Sequence, residues 1–262
     1  MSMKPLLIER EGAVARLVLN RPEQGNAINL ELARALVDAT RQLAEEGSVR
    51  CVVLTGTGRL FCAGGDITAF AASPEGRGRS LRQLADTLHD AVRSLATMPK
   101  PLVVVVNGPA AGAGLSLAML GDIVLAGASA HFTAAYASVG LSPDGGMSWL
   151  LPRLVGLRRA QEIVLANRRI GAEEAVSIGL VTRIVADTDL TAEAAAVAER
   201  MVAAPTEAIG AARRLLLEAP TRSLSDHLDI EAASIAAAGE RSEAREGIAA
   251  FLERRKPNFS GA

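Results

Sequence analysis

Apolar and β-branched residues gather in short runs at 13–19, 49–55, 102–106, 122–126 and 180–185, each closed by turn-forming residues, and these runs predict strands. Between them, apolar residues recur at three- and four-residue spacing over 30–43, 81–95, 115–120 and 158–165, which predicts helices. Strand and helix alternate. That order favours a mostly parallel sheet with helical crossovers, and functional sites in such sheets sit where strands end and loops open.

Beyond about residue 203 the strand pattern stops. The remainder is rich in Ala, Leu and Glu and is broken at Pro220 and Gly239. The chain therefore divides into a core over 1–203 and a helical region over 204–262. Short helices rarely stand alone, so this region must fold back on the core or pack against another subunit, and oligomerisation is the favoured reading. The stretch SPEGRGRS at 73–80 holds three breakers and two arginines with no apolar period, and it predicts an exposed loop. No internal repeat is visible.

With 262 residues, 49% of them hydrophobic, the chain can bury a full core without a disulfide or a metal. A formal net charge of −1 with 3% aromatic residues leaves no electrostatic footprint for nucleic acid. Cys51 and Cys62 form neither a disulfide framework nor a metal-ligand pattern, and a cytoplasmic protein is expected. Leu6, Leu7 and Ile8 are followed at once by Glu9, Arg10 and Glu11, and no apolar run approaches a membrane span. A soluble protein with a small or locally charged partner fits this balance.

Two glycine-rich segments carry the candidate chemistry: FCAGGDI at 61–67 and NGPAAGAGLSLA at 107–118, each close behind an apolar β-run. Helix entries leave N–H groups unpaired and carry partial positive charge. Two of them facing one cavity would stabilise an anion forming on a carbonyl oxygen, as an enolisable ester or thioester requires. Tight turns and close helix packing are the competing explanation of both segments.

The segments NRPEQGNAI at 20–28, FCAGGDI, KPLVVVVNGPAAGAG, GLSPDGGMSWLLPRLVG and EGIAAFLERRKPNFSG at 246–261 together resemble the enoyl-CoA hydratase/isomerase, or crotonase, family over essentially the whole chain. The resemblance implies an α/β crotonase-like (ClpP/crotonase) spiral of ββα units with a C-terminal helical region that builds homotrimers, or hexamers as pairs of trimers. It places the two oxyanion donors on the backbone N–H groups of Ala63 and Ala113. Family hydratases carry two glutamates at the positions of Ser116 and Tyr136 here, and neither residue supplies a carboxylate for activating water. Asp144 matches the catalytic aspartate of family isomerases; read without the family, it is a turn residue or the N-cap of the helix that follows.

The implied activity is acyl-CoA isomerisation, shifting a double bond or opening a ring epoxide to an oxepin as in phenylacetate degradation, with Asp144 shuttling the proton. CoA would be part of the substrate, with no metal and no redox cofactor. By resemblance, Gly64, Gly65, Asp66 and Ile67 present backbone to the adenine, Arg21 and Ala27 border the nucleotide, Arg254 reaches a neighbouring subunit's CoA, and Lys100 is a further phosphate candidate. His131 reads as a packed or edge residue, His89 and His227 as surface, and Trp149 and Phe251 as core or interface. The alternatives are enoyl-CoA hydration as in fatty-acid metabolism, nucleophilic displacement by Asp144, and a non-catalytic acyl-CoA-binding or assembly protein.

Overall fold

The computed structural model describes residues 4–68 and 76–261. Strands β1 (Leu6–Glu11), β2 (Val14–Leu19), β3 (Cys51–Gly56), β4 (Leu102–Val106), β6 (Ile123–Gly127) and β9 (Arg183–Val185) form one sheet in the order β1-β2-β3-β4-β6-β9. Only β1 pairs antiparallel; β2 through β9 run parallel. Strand β1 lay outside the predicted set because its charged positions, Glu9, Arg10 and Glu11, are exposed on an edge strand and break the apolar run.

A second, smaller sheet holds β5 (Ala110–Ala111), β7 (His131–Thr133) and β8 (Ile170–Gly171). Single bridges, Cys62 to Ala110 and Ile28 to Gly65, extend its ladder to the first glycine segment. Successive passes of the chain through the large sheet are thus stacked a second time at their carboxyl ends. The two glycine segments become neighbours by this stacking, since Ala111 N–H donates to the Cys62 carbonyl at 2.9 Å.

Strands β3 and β4 are buried on both faces, which explains their unbroken Val and Leu runs. Val52, Leu54, Val104 and Val106 face helices α1 (Leu30–Glu45), α2 (Arg77–Thr97) and α3 (Ala113–Ala118) in the main core. Cys51, Val53, Val103 and Val105 face Leu190, Ala194 and Val197. Asn29 caps α1 by accepting the Leu32 N–H at 2.9 Å, as its position ahead of an amphipathic run allows. Helix α2 opens at Arg77, so residues 77–80 are its exposed first turn and the predicted loop is corrected there; residues 73–75 lie outside the described residues.

Helices α4 (Met147–Val155), α5 (Leu157–Leu165) and α6 (Ala172–Ser177) cover the small sheet, and α7 (Leu190–Val202) covers the back of the large one. Then come α8 (Thr206–Glu218), α9 (Leu224–Gly239) and α10 (Ser242–Leu252), with breaks at Pro220 and after Gly239. Arg213 anchors α8: buried, it donates to the carbonyls of Leu95, Met98 and Lys100 and pairs with Asp122 at 2.6 Å. Helix α9 has no buried residue in the single chain, leaving Leu224, Leu228 and Ile235 exposed.

Candidate active site

Close backbone packing sets the two glycine segments face to face. A Cβ on Gly114 would stand 2.3 Å from the Cys62 carbonyl oxygen, and one on Gly64, whose φ is +104°, would stand 3.0 Å from that of Ala111. Only glycine permits this approach. Asn26, fully buried, holds the rim by donating to the carbonyls of Thr57 and Leu60 at 2.9 and 2.8 Å.

Next to the segments lies a cavity of about 460 Å³, lined by Ala63, Gly64, Gly65 and Ile67 from the first, Gly112 and Ala113 from the second, and Tyr136 and Asp144. Leu81, Leu84 and Leu88 of α2 form its apolar wall with Val139 and Leu141.

The N–H groups sort the donors. Ala63 N–H already donates to the Gly25 carbonyl at 2.9 Å, so the donor role read for Ala63 is corrected. Two residues along, Gly65 bridges Ile28 through its neighbours: Ile28 N–H donates to Gly64 O at 2.7 Å and Asp66 N–H donates to Ile28 O at 2.9 Å. In such a bridge the N–H of Gly65 itself points away from Ile28. It has no partner among the described residues, and neither has the N–H of Ala113, the first residue of α3. Position in the motif could not separate Ala63 from Gly65, because the distinction depends on a pairing with the distant Ile28.

Asp144 is half-buried at the other side of the cavity. It does not cap α4 with its carboxylate; its carbonyl accepts the Met147 N–H at 3.1 Å, and Gly146 stands at the N-cap. The carboxylate is left to Tyr136, whose hydroxyl donates to Oδ1 at 2.6 Å. Burial, the Asp144 charge and this hydrogen bond push the Tyr136 phenol well above its ordinary value, so it remains a neutral donor. Ser116 Oγ donates to the Asp144 carbonyl at 3.0 Å. Ser116 and Tyr136 thus both brace Asp144.

The other predicted contacts divide. Gly64, Gly65 and Ile67 line the cavity, whereas Arg21, Ala27 and Asp66 are not among its lining residues. Arg21 acts as an internal brace, pairing with Asp66 at 2.8 Å and donating to the Ala27 carbonyl. Burial raises the Asp66 pKa, but hydrogen bonds from Thr68 and Arg21 outweigh it and hold the group below the usual carboxylate range. Lys100 is buried, donates to the carbonyls of Leu43 and Glu46 at the end of α1, and is corrected from phosphate candidate to helix cap. Arg254 is exposed beyond α10 and lines no part of the cavity in the single chain.

Among the aromatic and imidazole residues, Phe251 is 83% exposed, which removes it from the core, and Trp149 is partly exposed with the Arg153 guanidinium 3.9 Å from its ring. His131 sits half-buried in β7, its pKa lowered by burial and by Arg169. His89 is not the plain surface residue its helical spacing suggested: it is half-buried, and its Nε2 accepts the Gly145 N–H at 3.0 Å. No group of three His, Cys, Asp or Glu residues among those described is arranged to hold a metal. No described helix is long and apolar enough to cross a membrane.

The profile of the family described as Enoyl-CoA hydratase/isomerase matches residues 9–262. The chain is 38% identical over 260 residues, 99% of both chains, to a 1,2-epoxyphenylacetyl-CoA isomerase of Escherichia coli (strain K12). The chain belongs to the enoyl-CoA hydratase/isomerase family. It is also 37% identical over 261 residues, 100% of both chains, to a probable enoyl-CoA hydratase of Rhodobacter capsulatus. The crystal structure of an enoyl-CoA hydratase from Polaromonas sp. JS666 superposes with a TM-score of 0.92 at 36% identity, covering 97% of this chain and 98% of that one. The architecture is therefore the crotonase fold, a family scaffold for acyl-CoA hydratases and isomerases.

Proposed function

We propose that this member of the family is an acyl-CoA isomerase in which Asp144 moves a proton along the acyl chain. The observation that carries this reading is a lone carboxylate, Asp144, in the same cavity as the unpaired N–H groups of Gly65 and Ala113. The thioester oxygen would lie between the two N–H groups. Asp144 takes a proton from the carbon next to the thioester carbonyl, the electron pair moves onto the oxygen as a dienolate, and the proton returns at a carbon further along. The C=C bond moves and the atom count is unchanged. Each such donor is typically worth about 2.7–4 kcal/mol of barrier.

The E. coli relative's name supports a ring-epoxide thioester as one substrate, and an unsaturated acyl-CoA fits the same chemistry. Hydration is disfavoured because Ser116 and Tyr136 stand where its two carboxylates would be and are spent on Asp144. Gly64 and Ile67 would border the CoA moiety, itself part of the substrate. The exposed apolar residues of α9 and α10, including Ile248 and Phe251, support homotrimer assembly through the 204–262 region, which would bring Arg254 toward a neighbour's CoA.

The test is Asp144→Asn with a 3-enoyl-CoA and with the ring-epoxide thioester. Proton transfer by a positioned side chain contributes about 10²–10⁴-fold, and a loss of that size is expected. Parent-rate isomerisation removes the assignment, and rapid water addition to crotonyl-CoA by the parent protein favours the hydratase reading.

A further inference from the structure

We infer that His89 is a positioning residue for the proton-transfer step, acting by gripping the main chain immediately after Asp144. The inference rests on the reading of Asp144 as the base and names a part that reading does not require. His89 lies on α2, one residue beyond Leu88 of the cavity wall, and its Nε2 accepts the N–H of Gly145 at 3.0 Å. An amide can only donate, so Nε2 must be unprotonated and the imidazole neutral, with its proton on Nδ1.

The segment so held is one that local forces alone would not fix. Gly145 and Gly146 have φ of +62° and +84°, two successive residues in the left-handed region. Such glycines have many alternatives when unrestrained. Three contacts from separate parts of the fold restrain the turn: Ser116 Oγ on the Asp144 carbonyl, Tyr136 on Oδ1 and His89 on the Gly145 amide. Tyr136 holds the carboxylate, while Ser116 and His89 hold the two ends of the peptide that follows it, the Asp144 carbonyl and the Gly145 amide. His89 joins that peptide to the helix that walls the acyl pocket.

Without an acceptor at this point the Gly145 amide is orphaned, and the peptide is held only at its carbonyl, by Ser116 and the Met147 N–H. The plane can then tilt about that anchored end, and the carboxylate shifts with it. Misplacement of about 1 Å in a catalytic group can cost about a hundredfold in rate. Substrate binding depends on the cavity walls and the two N–H groups and is untouched by that shift. The signature is a fall in kcat without a matching rise in KM.

The experiment compares His89→Leu, which removes the acceptor, with His89→Gln, whose side-chain oxygen reaches the place of Nε2, in the full chain with a 3-enoyl-CoA. The expected result is a drop in kcat of about ten- to hundredfold in His89→Leu with KM within about twofold, and recovery of most of it in His89→Gln. Equal rates in His89→Leu and the parent overturn the inference, as does a His89→Gln variant no better than His89→Leu when both melt at the parent temperature. If His89→Leu does not fold, the tautomer decides: in protein labelled with ¹⁵N-histidine, the resonances lost in His89→Gln should report a protonated Nδ1 and a bare Nε2, and the opposite pattern overturns the inference. Asp144→Asn is measured alongside. Parent-rate activity there defeats the base assignment, whereas an inactive Asp144→Asn beside an unimpaired His89→Leu defeats only the positioning role.

Discussion

The hydroxyl of Tyr136 donates to Oδ1 of Asp144 at 2.6 Å, which commits one carboxylate oxygen to the protein and leaves the other without a partner among the described residues. A charge-assisted hydrogen bond this short orients its acceptor. Tyr136 thus lends direction to the aspartate.

Removing that hydroxyl tests its value. Tyr136→Phe keeps the ring that helps line the cavity and deletes only the donor. A hydrogen bond to a charged group contributes about 1.5–3 kcal/mol, so kcat is expected to fall about ten- to hundredfold while KM stays within about twofold. Steady-state kinetics on a 3-enoyl-CoA give the answer. Unchanged kcat would mean that the contact does not orient the base.

The same phenol makes a spectroscopic prediction, because Tyr136 is the single tyrosine of the chain. Burial and the facing carboxylate raise its pKa, so the folded protein holds the proton where the unfolded chain releases it, at about pH 10. Tyrosinate absorbance near 295 nm should be absent from the native protein at pH 10 and appear on adding denaturant. Linkage gives the sign for stability: the contribution is complete below about pH 10 and declines as pH rises beyond it, since only the unfolded state then loses the proton. A native titration midpoint near pH 10 would contradict the burial.

Two glycines of the paired segments should respond oppositely to a methyl group. Around Gly65 nothing lies within 4 Å of an added Cβ, and φ there is not positive, so Gly65→Ala keeps its N–H and should retain fold and most activity. Gly114→Ala would drive a Cβ to 2.3 Å from the Cys62 carbonyl, backbone against backbone. Overpacking of this kind costs about 1–3 kcal/mol or more, and pushing the segments apart separates the Gly65 and Ala113 donors. Thermal unfolding and kcat should both drop for Gly114→Ala. Equal behaviour of the two variants would undo the close-approach argument.

Much of the architecture is legible from local pattern. The runs at 102–106 and 122–126 predict β4 and β6 almost to the residue because strands covered on both faces are apolar throughout, and the three- and four-residue apolar spacing over 30–43 predicts α1. Short strands such as β5 and β8 carry no comparable signal, since a two-residue strand has no period to read. Polar side chains were harder. Lys100 and Arg21 look like free cations in sequence, yet each ends on carbonyl or carboxylate oxygens supplied by other parts of the fold. His89 has the spacing of a surface position until the turn after Asp144 is laid against it.

By itself the sequence determined the strand–helix alternation, the glycine segments at strand ends and the presence of Asp144, all of which depend on residue type and near neighbours. Tertiary structure decided which amides remain unpaired and where the carboxylate points. Ala63 loses its N–H to Gly25, Gly65 keeps its own, and Asp144 is steered by Tyr136 and Ser116. Hydrogen-bond availability is a property of the whole packed chain: a donor becomes free only when every acceptor that folding brings near has been matched elsewhere.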